Sequence, residues 1–272
     1  MSLFFKKLFI LIFLLPIFSF ANEPLKDQEF DCVVNPSRVA DIGSSAIGVI
    51  THIMVDRNDF VKRGDVVATL NYKVEKAKVE VAKKRASMNS KVKLTNINLA
   101  LAKREQGRVQ KAFNRGSVSA HDLDIADTEL LLANIKQLQA NEEQLLAEKE
   151  LAYAKAVFAQ RTIYIPFTGV ITQRLKEMGE HVDSEAIVIL AKIDPLYVEV
   201  ILPVSKLGTI KKGMKAEVYS PAIKGSKWIA TVSHVDKVMD AASGTFGVRL
   251  NLPNPDYKIP AGLRCHIRFS TQ

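Results

Sequence analysis

The chain has 272 residues, with 38 Lys and Arg against 29 Asp and Glu, a length that allows one large domain or two to three small ones. The net charge of +9 suggests nucleic acid or an anionic surface as partner. The charges are segregated, however: residues 72–115 carry thirteen cations against three acids, and residues 119–160 carry eight acids against three lysines. We therefore predict two oppositely charged helices facing each other, and no nucleic-acid partner. An anion-binding surface is the weaker interpretation.

The N-terminus has the pattern of a secretory signal peptide. Two lysines, Lys6 and Lys7, precede an apolar run over residues 8–20, and Ser19-Phe20-Ala21 has the small-x-small pattern of a cleavage site. The alternative is an uncleaved membrane anchor, but the thirteen apolar residues include Pro16 and fall short of the ~20 that a spanning helix needs. We expect residues 1–21 to be removed on export and residues 22–29 to form a flexible polar leader.

A sequence repeat predicts a small β unit that is split in two. Residues 46–70 and 167–190 align with a shift of 121, which places Gly48 on Gly169 and Asp59 on Glu180. Short β-branched runs with turn signals between them are typical of a sandwich or flattened barrel. We assign residues 30–71 and 161–192 to the two halves of one domain.

The segment between these halves, residues 72–160, has a helical period and no proline. A first helix is predicted from about Tyr72 to residue 113, where Gly116 suits a C-cap, and a second begins at Ser119. Their apolar lines follow the steps of three, four and seven that are typical of coiled coils. The first line is Val74, Val81, Met88, Val92, Leu99, Ala102, Val109 and Phe113, and the second is Leu123, Ala126, Leu130, Ala133, Gln137, Ala140, Gln144, Ala147, Leu151, Ala154 and Phe158. Two helices of about 42 residues predict a hairpin of ~60 Å with its tip near 114–119.

The second helix carries another apolar line in addition to this seam: Leu131, Ile135, Leu138 and Leu145. This packing stripe has a simple explanation as the edge of a broad core-facing surface. A hairpin without a core of its own favours the other interpretation, in which neighbouring hairpins pack side by side.

Residues 193–272 alternate as about six short strands, which suffices for a small closed β-barrel.

The two cysteines, Cys32 and Cys265, stand near opposite ends of the exported chain. An even count in an oxidising compartment favours a disulfide between the first strand and the last. The alternative is two half-buried strand cysteines that never meet.

Taken together, these elements predict an α+β multi-domain protein: a lipoyl-like β-sandwich split by a long antiparallel α-helical coiled-coil hairpin, followed by a small antiparallel β-barrel. This arrangement resembles the periplasmic adaptor (membrane fusion) proteins of the HlyD type, and more narrowly the adaptors of RND-type efflux pumps. The resemblance rests on the split repeat and on the barrel stretch 235–254, with Asp236, residues 243–246 and the Leu252-Pro253-Asn254 turn; Pro260-Ala261-Gly262 also matches.

The resemblance implies a periplasmic protein that joins an inner-membrane transporter, of the RND type, to an outer-membrane TolC-like channel. It also implies self-association, as a hexamer in the assembled pump. An adaptor for an ATP-driven exporter and an exported coiled-coil scaffold without a transport role are the alternatives. Many adaptors of this family continue into a membrane-proximal β domain. Because this sequence ends after the last barrel strand, we expect the barrel and the lipoyl-like unit to contact the transporter.

In this family the hairpin tip carries an Arg-x3-Leu-x6-Ser pattern that docks on the outer-membrane channel. Arg108 and Ser119 have the matching spacing, but Ala112 stands at the leucine position, with Phe113 beside it. The resemblance assigns these four residues to channel docking. The alternative from the residues alone is that Arg108 is a solvated cation and Ser119 only an N-cap.

The sequence favours a protein that is not an enzyme and needs no cofactor. A lipoyl-type carrier would present a lysine on a short turn, but the turn that would hold Lys73 or Lys76 is where the helical segment enters. The five histidines are scattered without metal-ligand spacing, so no metal site and no catalytic residue are predicted.

Overall fold

The computed structural model describes residues 28–270. The predicted signal peptide, 1–21, and nearly all of the leader, 22–29, lie outside the described residues. The described residues divide into two compact units, one made of Pro36–Asp194 and the other of residues 28–35 with 195–270. Within the described part, none of the helices combines the length and the apolar character that a membrane span requires.

Twelve strands and three α-helices follow one another along the described residues. They are β1 (Glu29–Gly43), β2 (Gly48–Ile53), β3 (Phe60–Val61), β4 (Val66–Leu70), α1 (Lys73–Ala86), α2 (Ser90–Phe113), α3 (Ala120–Ala159), β5 (Thr162–Tyr164), β6 (Gly169–Arg174), β7 (His181–Val182), β8 (Ala186–Pro203), β9 (Lys215–Tyr219), β10 (Trp228–Val235), β11 (Thr245–Leu252) and β12 (Leu263–Phe269), with a short 3-10 helix at Val204–Lys206.

In the Pro36–Asp194 unit, the two halves of the repeat pair with each other reciprocally. Strand β2 of the first half pairs with β7 of the second, and β6 of the second half pairs with β3 of the first. The Ile50 N–H donates to the Glu180 carbonyl at 2.9 Å, and the Ile171 N–H donates to the Asp59 carbonyl at 3.0 Å. A shift of 121 residues converts one of these bonds into the other. A second pair of bonds is related in the same way: Gly179 N–H to Ile50 O at 2.9 Å and Asn58 N–H to Ile171 O at 2.7 Å.

One hydrophobic core lies between the two halves. Repeat-related residues enter it together: Ile50 and Ile171, and Val67 and Val188, are all at most 1% exposed. The remaining strands extend the pairing, because β4 pairs with β2 and β5, and β8 pairs with β6. Residues far apart in sequence therefore form a single folded body, and the helical segment leaves it after β4 and returns at β5.

The helical segment departs from the prediction of one continuous first helix. Residues 87–89 interrupt it between α1 and α2, and the side-chain amide of Gln144 on α3 donates to the carbonyl of Ala86 at 2.5 Å. The three-residue interruption shifts the helical phase. Val79, Ala82 and Ala86 are therefore the shielded residues of α1.

The predicted seam was consequently wrong for α1. Val74, Val81 and Met88 are 62%, 65% and 59% exposed. From Val92 onward the shielded positions of α2 include Leu99, Ala102 and Val109, as predicted, whereas Phe113, the last residue of the predicted seam, is 37% exposed.

On α3 the burial follows the predicted alternation along the whole helix. Ala126, Ala140 and Ala147 are its most buried residues, and such small side chains permit close approach of the facing helices. The predicted charge complementarity appears in two ion pairs, Arg85–Glu150 at 2.9 Å and Lys91–Glu143 at 2.5 Å. Both pairs are solvent-exposed, so each contributes at most about 1 kcal/mol.

In the other unit, six strand segments are hydrogen-bonded in the order β1-β12-β9-β10-β11-β8. Alternate residues point inward: Val198, Val218, Val232, Leu250 and Ile267 are at most 1% exposed. Residues 193–272 supply five of the six strand segments, and the sixth is the start of β1.

This strand moves one domain boundary. Residues 30–35 were predicted to belong to the lipoyl-like half, but residues 30–34 pair with β12, and the unit boundary falls after Asn35. Pairing between the two ends of a chain leaves no local sequence signal, which explains the difference.

Cys32 lies opposite Cys265 with their Cα atoms 4.8 Å apart, and the two form a disulfide. By the chain-entropy argument, closing so long a loop contributes up to about 5 kcal/mol of stability.

Gly169 allows a close approach between β6 and β8. A Cβ atom at this position would lie 2.3 Å from the carbonyl oxygen of Ala191 on the paired strand β8. We expect Gly169→Ala to lower the free energy of unfolding by about 2 kcal/mol or more, because a backbone atom must move. The control is Gly107→Ala in α2, where nothing lies within 4 Å of the added atom and about 0.5–1 kcal/mol of stabilisation is expected. Urea unfolding of both variants measures the difference, and equal stabilities would contradict this account of Gly169.

Candidate functional site

The C-terminal end of α2 is closed by backbone hydrogen bonds. Gly116 has a φ of 71°, its N–H donates to the carbonyl of Phe113 at 2.8 Å, and the N–H of Ser117 donates to the carbonyl of Ala112 at 2.9 Å. These two bonds and the left-handed glycine make up a Schellman motif. The turn therefore satisfies the free carbonyls of α2 without side-chain help.

The N-terminal end of α3 is closed by a capping box. The N–H of Asp122 donates to the Ser119 hydroxyl at 3.2 Å, and the N–H of Ser119 donates to the Asp122 carboxylate at 2.9 Å. The Ser119 hydroxyl also donates to that carboxylate at 2.6 Å. The hydroxyl bond, followed by the backbone bond, lowers the pKa of the Asp122 carboxyl. A carboxylate in the first turn is further favoured by the helix dipole.

The four residues that the resemblance assigns to docking lie on the two helix ends around this turn. Arg108 and Ala112 are four residues apart on α2 and share one face. The Arg108 side chain is 73% exposed and contacts Glu105 at 3.0 Å, and Phe113 is 37% exposed. The Ser119 hydroxyl forms the hydrogen bonds of the capping box described above. The tip therefore offers an exposed cation and a partly exposed aromatic ring on a turn whose shape is fixed by its own hydrogen bonds.

The packing stripe is exposed along α3. Leu131, Ile135, Leu138 and Leu145 are 59%, 53%, 56% and 53% exposed. Sequence reasoning missed further exposed apolar side chains beside them and on α2: Leu132, Leu146, Tyr153, Leu94, Ile97 and Leu101. The spacing of Leu94, Ile97 and Leu101 by three and four was a usable signal. None of the three coincides with a predicted seam residue of α2.

Sequence reasoning also missed the polar cluster at the root of the hairpin. The Arg161 guanidinium donates to the carbonyl of Ile47 at 2.6 Å and to the Glu75 carboxylate at 2.9 Å. The two charged side chains are only 18% and 12% exposed. This pair joins the start of α1 to the residue just after α3, so it holds both helix ends on the sandwich. No sequence motif marks it.

Residues 28–270 contain no group of three or more His, Cys, Asp or Glu side chains placed to hold a metal ion. The exposed tip and the exposed apolar surface of the hairpin are therefore the features on which a functional interpretation rests.

Comparisons with known proteins agree with the architecture. Residues 195–272 match the family model described as "CusB-like, beta-barrel domain". The pyoverdine export membrane fusion protein PvdR of Pseudomonas aeruginosa is 27% identical over 207 residues, which cover 74% of this chain and 53% of PvdR. The macrolide export protein MacA of Yersinia pestis is 26% identical over 228 residues, which cover 80% of this chain and 61% of MacA. The chain is thus similar to proteins named for export and membrane fusion over most of its length.

A solved structure shares the fold. The crystal structure of MacA from Actinobacillus actinomycetemcomitans superposes with a TM-score of 0.75 at 17% identity, covering 89% of this chain and 78% of that chain. The shared fold includes a β-barrel and a helical hairpin. The present chain spans between half and two thirds of the length of the two curated relatives named above.

The capping box gives a pH-dependent prediction for the tip. Because the folded-state pKa of Asp122 is lowered, the cap contributes stability above the ordinary carboxyl pKa and loses it as pH falls through the folded-state pKa. We expect Ser119→Ala to raise the pKa of Asp122 toward its ordinary value and to speed amide exchange in the first turn of α3. NMR titration and hydrogen exchange measure both effects, with Ser90→Ala as the control at a helix start that lacks this box. An unchanged Asp122 pKa would show that Ser119 is not its main partner.

Proposed function

We propose that the chain is a non-enzymatic periplasmic adaptor of a tripartite efflux system, which joins an inner-membrane transporter to an outer-membrane TolC-like channel. The observation that carries the proposal is the exposed hairpin. It has a turn fixed by two caps, helices with apolar surface facing solvent, and a root bound into a β-sandwich. The adaptor would act by bridging and sealing the duct while the transporter supplies the energy.

Channel docking is assigned to the tip, with Arg108 as the central contact. Its side chain is 73% exposed and its partner Glu105 is 49% exposed, so the pair is weak and the guanidinium is free to exchange partners. Phe113 adds a partly exposed ring, and aromatic and arginine side chains are enriched at binding hot spots. Ser119 contributes by fixing the start of α3, and Ala112 leaves room for a channel residue where the family pattern has leucine.

Self-association is assigned to the packing stripe, in a hexamer by analogy with the family. Four leucine and isoleucine side chains that are each more than half exposed form an apolar surface that favours burial against a like surface. Charge supports the same arrangement, because most cations of α1 and α2 lie outside the two ion pairs to α3. The excess acidic side chains of α3 in a neighbouring hairpin would attract these cations, and added salt would weaken that attraction.

For the transporter we propose the RND type, because the family model that matches the barrel carries that designation in its name. An ATP-driven exporter is the alternative transporter, and a coiled-coil scaffold is the alternative outside transport. Crosslinking in intact cells followed by purification of this chain separates the three. We expect a polytopic RND-type protein among the crosslinked partners. An ATPase would select the second possibility, and the absence of any polytopic protein would select the third.

The docking assignment predicts the effect of a charge reversal at the tip. Arg108→Glu should abolish export in cells, because it places a negative charge where the channel meets a cation. The fold should be unaffected, since loss of one exposed ion pair costs at most about 0.5 kcal/mol. Lys93→Glu, on the same helix but far from the tip, is the matched control. Normal export by the Arg108 variant at normal protein levels would remove Arg108 from the docking surface.

The packing assignment predicts the effect of a charge within the stripe. Leu138→Asp should weaken self-association while changing the stability of the monomer by less than about 1 kcal/mol, because the side chain is 56% exposed. Gln139→Asp adds the same charge one residue away, on a different face of α3, and should leave assembly unchanged. Sedimentation velocity over a range of concentrations measures both. Identical oligomers for the two variants would count against the stripe.

A further inference from the structure

We infer that one end of the barrel unit binds an anionic lipid surface directly. Two loops form this end, residues 204–214 between β8 and β9 and residues 236–244 between β10 and β11; together they are called the barrel rim. The inference goes beyond the proposed function, since lipid binding requires neither a channel nor a transporter.

Backbone hydrogen bonds hold the two loops of the barrel rim together. The N–H of Val204 donates to the carbonyl of Gly244 at 2.9 Å, and Pro203 at the end of β8 pairs with Thr245 at the start of β11. Within the second loop, the N–H of Asp240 donates to the Thr245 carbonyl at 3.0 Å. The rim is thus one preformed surface of two adjacent loops.

Four aliphatic side chains of the barrel rim project into solvent. Val204, Leu207, Val238 and Met239 are 42%, 44%, 84% and 41% exposed. Single exposed apolar residues are ordinary, but here they cluster on adjacent loops whose turns are ordered. The Asp240 carboxylate, for example, accepts the N–H groups of Ala242 at 2.9 Å and Ser243 at 3.4 Å. Because these turns are already ordered in the folded chain, a partner that covers Val238 and Met239 does not first have to order the loop.

Charge distinguishes a lipid surface from other partners. Residues 204–214 and 236–244 contain four lysines and two aspartates, and no arginine or aromatic residue. Lysines around aliphatic side chains suit an anionic headgroup layer above an apolar interior. Protein hot spots are enriched in Trp, Tyr and Arg, and single-stranded nucleic acid sites use aromatic stacking. The barrel rim has none of these residues.

The described chain also begins and ends at the barrel rim. Glu29 at the start of β1 pairs with Arg268 near the end of β12, and the N–H of Ser270 donates to the carbonyl of Lys215 at 3.0 Å. Eight residues separate the apolar run, residues 8–20, from Glu29. Eight extended residues reach no more than about 30 Å. In the alternative in which this run stays in the membrane as an uncleaved anchor, this end of the barrel would therefore lie close to the lipid surface.

Vesicle binding tests the inference. The exported chain, without residues 1–21 because their apolar run would itself enter lipid, is sedimented with phosphatidylcholine vesicles that either contain or lack phosphatidylglycerol. We expect binding only to the anionic vesicles, weakened by added salt. Because each lysine near such a surface contributes about fivefold in affinity, Lys211→Glu with Lys212→Glu should weaken binding at least about 20-fold. Leu207→Ser with Val238→Ser should weaken it about tenfold.

Matched variants elsewhere make the test specific to the barrel rim. Lys103→Glu with Arg104→Glu on α2, and Val39→Ser on β1, change equally exposed side chains away from the rim and should bind as the parent does. A Val238→Trp variant should show a blue-shifted fluorescence increment on anionic vesicles. Absence of vesicle binding, or equal losses in rim and control variants, would overturn the inference. Rim variants that lose a crosslinked transporter but keep vesicle binding would assign the rim to protein contact instead. The export defect expected of Arg108→Glu tests the proposed function separately and does not depend on the result with vesicles.

Discussion

The reciprocal pairing of two distant chain segments is the constraint on which the rest of the structure depends. Ile50 and Ile171 each receive and give backbone hydrogen bonds across the repeat, and both lie in the shared core. Neither half has enough strands to bury its own apolar face. The sandwich exists only when residues some 120 positions apart meet, so the helical segment between them must leave and return at neighbouring points. The hydrogen bond from the Leu70 N–H to the Arg161 carbonyl at 2.8 Å fixes that meeting point.

The hairpin is stable for a different reason from the sandwich, because it has little interior. Only three alanines of α3 are buried, so close backbone approach and helix propensity replace a core of large side chains. The ion pairs between the helices are exposed and weak, whereas the pair between Arg161 and Glu75 is shielded and loses more if one partner is removed. The anchoring is therefore strongest at the root, and the apolar surface of the helices remains available to partners.

The sequence allowed prediction of those parts of the fold that have a periodic or repeated pattern. The shift of 121 residues, the seam of α3, the glycine at the C-terminal end of α2 and the capping box at Ser119 all follow from local spacing, and the structure agrees with them. The interruption at residues 87–89 could not be predicted, because Val81 and Met88 continue an apolar line that fits an unbroken helix. The start of β1 was assigned to the wrong unit because its partner strand is more than 200 residues away. The cluster at Arg161 depends on three segments that only the folded chain brings together.

The two caps at the hairpin turn separate the shape of the tip from its surface chemistry. Backbone groups, Gly116 and the Ser119–Asp122 pair determine the path of the chain, whereas the side chains at 108 and 113 point to solvent without supporting that path. Substitutions can therefore exchange these outward side chains one at a time, and change what the tip recognises, without first finding a new loop conformation. If the tip docks on a partner as proposed, variation at these positions among related proteins is expected to record changes of that partner, and the cap residues are expected to vary little.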